Sequence, residues 1–310
     1  MTDISYVSRY EHLTADDLVP PSPGIFFEPA DTEIGVWVVK DLLPAHGGGS
    51  VLDLGSGSGA AAAGMARAGA ARVHGVDASE ASVAWARRHH AVNNGATHVT
   101  FAHGDFAQLS AERLLSTAGG PLPRPLIVTS NPPYVPLTPE ADAQRRSISG
   151  GPDGLKWAEA IIGHAEALGT DLGFTFGSYS SPRRAVELLA DAGYRVAAVT
   201  LCPLPLGDFT REHPERMTEL ERQGEAVVWR NGPEASGYFI VGLACRRAGP
   251  EPVNGHGPLT GDGLMELLRA AAASRSTRLE ALHGAAAAPL PWSGPLRVFD
   301  PPAPPARHHW

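Results

Sequence analysis

The chain is poor in cysteine: only Cys202 and Cys245 occur in 310 residues. That excludes a disulfide framework and points to a reducing, cytoplasmic setting. Positive charge is also in short supply, since 25 Lys and Arg face 33 Asp and Glu, giving a net charge of −8 with His neutral. Phosphates need Lys and Arg, so nucleic acid is not the expected partner, although a local basic patch is compatible with this balance. No uninterrupted apolar run is long enough to cross a bilayer, and no membrane association is expected. Residues 1–10 are polar and lack the basic-then-apolar pattern of a secretory leader. The 13 His are scattered, and His89 and His90 are adjacent, so they point in different directions on a helix. No metal is expected from them.

What is present is enough apolar residue, 43%, for a proper core. Residues 1–30 read as an N-terminal arm, broken at Pro20-Pro21-Ser22-Pro23-Gly24. Residues 31–247 read as one domain. It opens with a helix from Asp31 to Leu43 capped by Asp31 or Thr32, then alternates strand and helix. Strands are predicted at Val51–Leu54, Val73–Asp77, Val99–Ala102, Leu126–Thr129, Leu172–Phe176, Tyr194–Leu201 and Gly237–Cys245. Helices are predicted at Ala60–Gly69, Ser79–Asn93, Gly154–Leu168 and Ser181–Ala192. This is a doubly wound, seven-stranded α/β Rossmann-like sheet, with ligands expected at the carboxyl ends of its strands. Residues 204–236 exceed what the last connection needs, contain a predicted helix at Pro214–Gln223, and are expected to form a substrate lid. Residues 248–310 read as a linker, a small helical appendage from about Asp262 to Leu282, and a Pro-rich tail.

Four successive strand ends carry chemistry. The first is Asp53-Leu54-Gly55-Ser56-Gly57-Ser58-Gly59, an acid followed by glycines that let the backbone approach a ligand closely. The carboxylate suits a cationic ligand. A dinucleotide would suit a glycine loop alone equally well. The second is Asp77-Ala78, where a carboxylate can accept from both hydroxyls of a ribose or cap the following helix. The third is Asp105-Phe106, an acceptor for an exocyclic amine and a ring to pack on a base, or a simple turn. The fourth is Asn131-Pro132-Pro133-Tyr134. Neither proline has an N–H to donate, so the strand must stop there. An amide, a free carbonyl and an aromatic ring are then presented together. That set can hold a planar –NH2: two oxygens accept its two N–H bonds and the ring packs on its flat face.

In this order the four motifs resemble those of the class I S-adenosylmethionine-dependent methyltransferases. With Glu28-Pro29-Ala30-Asp31-Thr32-Glu33 before the core and Gly150-Gly151-Pro152-Asp153-Gly154 after the Asn-Pro-Pro-Tyr loop, the chain is similar to the HemK-type N-methyltransferases. The likeness runs from about Gly24 to Arg247, and is to the short form without an N-terminal helical domain. It implies S-adenosylmethionine as cofactor, held by Asp53, Gly55, Ser56, Gly57, Gly59, Asp77, Ala78, Asp105, Phe106 and Asn131. It implies catalysis by Asn131, the Pro132 carbonyl and Tyr134, with Asp31, Thr32, Pro133 and Tyr134 lining the acceptor pocket. The expected acceptor is a planar side-chain nitrogen, amide or guanidinium, of an amino acid or small metabolite. A protein glutamine and a nucleic-acid exocyclic amine stand as alternatives. The 204–236 insertion and the C-terminal extension depart from the family, and the sequence is silent on oligomeric state.

Overall fold

The computed structural model describes residues 4–44, 48–93, 97–145, 147–230, 235–248, 257–273 and 292–302. A short strand, β1 (Ile4–Val7), precedes helix α1 (Pro29–Leu42). Strand and helix then alternate through β2 (Ser50–Leu54), α2 (Ala60–Arg67), β3 (Arg72–Asp77) and α3 (Glu80–His89). Next come β4 (Val92–Asn93), β5 (His98–His103), α4 (Ala111–Ser116), β6 (Leu126–Ser130) and α5 (Pro139–Gln144). The pattern continues with α6 (Ala158–Leu168), β7 (Asp171–Gly177), α7 (Pro182–Asp191) and β8 (Tyr194–Pro205). The segment after β8 holds α8 (Asp208–Glu212), α9 (Glu215–Arg222) and β9 (Trp229–Arg230), and β10 (Ala235–Arg247) follows. Helix α10 (Gly261–Ala273) and β11 (Leu296–Phe299) complete the described chain.

All eleven strands join one sheet, in the order β1-β11-β8-β10-β7-β6-β2-β3-β5-β4, with β9 on β10. The seven strands expected from the sequence supply its unbroken middle, β5-β3-β2-β6-β7-β10-β8. Strands β2, β3, β5, β6 and β7 run parallel, and β10 is antiparallel to both β7 and β8. Every residue of β2 and β6 is buried, as apolar strands covered on both faces should be.

Several expectations are corrected. The cap of α1 is neither Asp31 nor Thr32. Glu28 takes that role by accepting from the Ala30 N–H, with Pro29 in the first turn where no N–H is needed. Helix α3 ends at His89 because Val92 and Asn93 pair antiparallel with β5. Helix α6 begins at Ala158, since Asp153 turns the chain by accepting from the Leu155 N–H. The N-terminal arm and the C-terminal extension each supply a strand. Here β1 lies parallel to β11, and β11 parallel to β8. Such four-residue segments carry too little periodicity to be read as strands, and their pairing is remote in sequence. Residues 274–282 of the expected appendage and Pro304-Pro305 of the tail lie outside the described residues.

Helix α1 is buried along almost its whole length, wedged against α2 and the β6-β7-β10-β8 face. The close approach depends on Gly242 of β10. A Cβ there would lie 2.6 Å from Ile34 Cγ2 and 2.7 Å from Val38 Cγ2. Glu33, 0% exposed, ties the preceding segment to this helix. Its carboxylate accepts from the backbone N–H groups of Glu11, His12 and Leu13 and meets His12 Nδ1 at 2.8 Å. The first turn of α1, with Asp31, is thereby fixed over the carboxyl end of the sheet.

Candidate active site

The sheet register sets the ends level. Leu54 is opposite both Val76 and Ser130, and Ser130 is opposite Phe174. The residues that follow, Gly55, Asp77, Asn131 and Thr175, therefore lie along one edge. Beyond Leu54 the Gly55 and Ser56 N–H groups both donate to the Val76 carbonyl, which folds the glycine loop back on β3. Gly59 starts α2 in the left-handed region, at φ 85°. A Cβ at Gly59 would come within 2.7 Å of the Ala86 methyl and 2.8 Å of the Phe101 ring, so packing demands a glycine there.

The acids of the first two strand ends have different surroundings. Asp53 is 4% exposed, and burial, with Asp77 close by, raises its pKa to about 7. Its Oδ2 and the buried Ser56 Oγ have no hydrogen-bond partner among the described residues. A buried carboxylate without a partner is costly, and a bound cation relieves that cost. Asp77 accepts from the Gly57 N–H through Oδ2 and from the Ser79 N–H through Oδ1, both at 2.8 Å. It braces the glycine loop and the entry to α3, while Ser79 itself caps that helix. Each oxygen keeps a second lone pair for a diol. Burial raises the pKa of Asp77 as well. The Ala78 carbonyl accepts from His103 Nε2 at 3.1 Å.

Asp105 closes its own turn, accepting from the Ala107 N–H and from Gln108 Nε2. Its neighbour Phe106 stands over the glycine loop, 3.7 Å from where a Gly55 Cβ would be, and packs edge-on against Trp157. An aromatic wall beside a glycine loop is a place for a flat base. Trp157 was not read from the sequence as part of this wall, because nothing in its spacing links it to Phe106.

The fourth strand end is held on three sides. Asn131 Oδ1 accepts from the Thr175 hydroxyl, and the Asn131 amide also helps to hold the Asp31 carboxylate in its charged form. The Thr175 hydroxyl is the bond that orients the amide, with the Asp31 carboxylate near it. Asp31 is 1% exposed. Its Oδ2 accepts from the Tyr134 hydroxyl at 2.9 Å, and its Oδ1 has no hydrogen-bond partner among the described residues. Burial raises the pKa of Asp31 to about 6, against the lowering effect of Tyr134 and Asn131. Tyr134 is 7% exposed and lies within a group of buried tyrosines, with Tyr238 Oη at 3.3 Å and the Tyr179 ring 6.1 Å away.

The Pro132-Pro133 pair separates Asn131 from Tyr134, whose carbonyl accepts from Ser180 Oγ at 2.6 Å. The Gly150–Gly154 loop packs on the same point, since a Cβ on Gly154 would meet the Tyr134 carbonyl at 2.7 Å. Thr32 is less available than expected, because its hydroxyl donates to the Glu28 carbonyl. Glu28 itself, absent from the sequence reading of the pocket, is raised to about 7 by burial, with the nearby Asp31 adding to the effect. Thr175, Tyr179 and Tyr238 were not legible as site residues because they come from strands and loops distant in sequence.

The 204–236 insertion sits beside this end of the sheet. Arg216 of α9 donates to the Pro152 carbonyl of the glycine-rich loop, and Val227 and Ser178 exchange two hydrogen bonds. Asp208, Glu219, Glu221 and Glu225 pair with Arg211, Arg216, Arg230 and Arg183 respectively. Four of the segment's acids are thus paired with arginines nearby. Among the described residues no group of three or more His, Cys, Asp or Glu is placed to hold a metal ion, and no helix is long and apolar enough to cross a membrane.

Residues 51–114 match the family model of the methyltransferase domain. The chain thus carries a segment similar to a methyltransferase domain. The matched segment contains Asp53, the glycine loop, Asp77, Asp105 and Phe106. No curated protein matches the chain. Among solved structures, it is similar to the ribosomal protein L11 methylase of Lactobacillus delbrueckii, with 16% identity, 80% of this chain and 97% of that one covered, and a TM-score of 0.40. It is also similar to a putative RNA methyltransferase of Pyrococcus horikoshii, with 13% identity, coverage of 78% and 93%, and a TM-score of 0.44. A third is the magnesium protoporphyrin IX methyltransferase of Synechocystis with bound SAM, with 19% identity, coverage of 69% and 78%, and a TM-score of 0.36.

Replacing Asp77 by Ala is expected to weaken binding of S-adenosylmethionine by about 1.5–3 kcal/mol, the value of a hydrogen bond to a charged group. Calorimetry on the folded variant checks this, and unchanged binding would leave Asp77 as a brace only.

Proposed function

We propose that the chain is an S-adenosylmethionine-dependent N-methyltransferase of HemK type. Its acceptor is a planar side-chain nitrogen, amide or guanidinium, of an amino acid or small metabolite. The observation that carries this reading is the amide of Asn131, oriented by Thr175 at a strand end beside the glycine loop, with the buried Asp31 near it. The unpartnered Asp53 Oδ2 and Ser56 Oγ fit an amino-acid-bearing cationic cofactor. Asp53, the 55–59 loop, Asp77, Ala78, Asp105 and Phe106 would hold it.

S-adenosylmethionine supplies an electrophilic methyl group when bound. The protein's own part is to prepare the nitrogen, whose lone pair is delocalised in an amide or guanidinium. Asn131 Oδ1 and the Pro132 carbonyl accept its N–H bonds from outside the plane, which favours a pyramidal nitrogen. The same acceptors stabilise the positive charge that grows on those N–H groups, and they are already oriented before the reaction. Well-oriented partners reach effective molarities of ~10⁵ M or more. Tyr134 and its neighbours keep water out. Burial pushes the Tyr134 and Tyr238 phenols well above their usual range, so they remain neutral donors.

The insertion is the acceptor-side cover in this reading, because α9 touches the loop that packs on Tyr134. Exchanging residues 207–224 for a short Gly/Ser turn, while keeping the buried Ala226–Val228 segment, should raise the acceptor's KM several-fold or abolish transfer. Binding of S-adenosylmethionine should stay nearly intact. An unaltered acceptor KM would reduce the segment to a surface loop. The function itself is tested by supplying methyl-labelled S-adenosylmethionine with separate pools of metabolites, protein and RNA. Label in the metabolite pool is expected. Label in protein glutamine or in RNA would select one of the alternatives, and no label anywhere would refute the proposal.

A further inference from the structure

Resting on that reading of the site, we infer that the acceptor is a cationic guanidinium group, held by Asp31 with Glu28 beside it, rather than a neutral amide. The argument is a count of donors and charges. An amide –NH2 has two N–H bonds. Asn131 Oδ1 and the Pro132 carbonyl take both in the proposed grip. A third acceptor then remains at the same place: Asp31 Oδ1, buried and without a hydrogen-bond partner among the described residues. Its other oxygen is used by Tyr134, and the Asn131 amide is close by, so the carboxylate belongs to the acceptor side of the site. An amide acceptor would leave that oxygen orphaned and its charge uncompensated, which is costly in a buried place.

A guanidinium meets the requirement. It is planar, carries a full positive charge and offers five N–H donors in a fixed fork. Two N–H bonds satisfy Asn131 and Pro132, and another reaches Asp31 as a charge-assisted bond. Glu28 adds a second acid near Asp31, at the cap of the same helix. Among the described residues no Lys, Arg or His pairs with either acid. The neighbouring groups Tyr134, Tyr179 and Tyr238 are neutral phenols, and burial raises the pKa of each. The positive charge that balances Asp31 and Glu28 therefore comes from the acceptor.

The test uses methylguanidinium and propionamide as probes of equal reach, titrated into the full chain loaded with S-adenosylmethionine. It is run at about pH 8, above the values to which burial raises the two acids. Methylguanidinium is expected to bind about tenfold tighter or more than propionamide, the worth of one charge-assisted bond. Asp31→Asn should remove that preference while S-adenosylmethionine still binds, which also shows that the variant is folded. Should Asp31→Asn fail to bind the cofactor, Glu28→Gln replaces it, with an expected loss of about threefold or more for methylguanidinium alone.

Equal or tighter binding of propionamide, no binding of methylguanidinium, or a preference that survives in folded Asp31→Asn would each overturn the assignment. Those results leave the methyltransferase reading standing as long as S-adenosylmethionine binds. If the wild-type chain does not bind S-adenosylmethionine at all, both fall together.

Discussion

Asn131→Ala should lower turnover by roughly 10²–10³ while leaving S-adenosylmethionine binding close to that of the wild type. The magnitude is that of removing one preorganised hydrogen-bonding group from a site where charge develops. The separation of effects follows from the geometry. The side-chain oxygen of Asn131 is oriented by Thr175, with Asp31 near its amide, and in the proposed reading it serves the acceptor rather than the cofactor. Thr175→Val should reproduce part of the loss, because the amide would lose one of the two contacts that orient it. Steady-state kinetics with calorimetric titration of the cofactor checks both. Near-normal turnover in Asn131→Ala would mean that the planar nitrogen is gripped elsewhere.

Asp53→Asn should act in opposite directions on stability and on binding. In the cofactor-free chain the Asp53 pKa is raised to about 7 from an ordinary value of 3.8. The native state therefore holds a proton that the unfolded chain releases, and stability falls as pH rises between those values. Each pH unit inside that window costs up to about 1.4 kcal/mol per such group. Asp31 and Glu28, raised to about 6 and about 7, contribute in the same direction. Asp53→Asn removes one of these contributions, so the variant should melt higher than the wild type near neutral pH. It should also bind S-adenosylmethionine more weakly by about 2–5 kcal/mol, as expected when one partner of a buried charge pair is truncated. Thermal melts across pH and calorimetry test the two halves. A variant that melts lower at neutral pH and binds normally would show that Asp53 is an ordinary structural acid.

Much of the fold was legible because strands covered on both faces are written as short apolar runs, and seven such runs could be found. Their chain order also placed four motifs at four strand ends. What could not be read came from pairings between remote segments. Ile4–Val7 and Leu296–Phe299 become strands only because they meet each other and β8. The cap of α1 was misplaced by three or four residues because Glu28 is not among the usual capping types, whereas Asp31 and Thr32 are. At the carboxyl edge, the places of Asp53 and Asn131 were set by local motif, and Glu28 stood in the stretch that opens α1. The Thr175 contact was not legible, since one hydroxyl in an apolar strand carries no local signal. Its place follows from the sheet register, and that of Glu28 from the depth at which α1 lies on Gly242.

The most direct test of the central claim is the chemical identity of the methylated product. With ¹³C-methyl S-adenosylmethionine and a metabolite extract, the account predicts new N-methyl signals on a planar side-chain nitrogen, absent when Asn131→Ala replaces the wild type. A methyl group delivered instead to carbon, oxygen or sulfur, or N-methyl signals of equal strength from the Asn131→Ala chain, would contradict it.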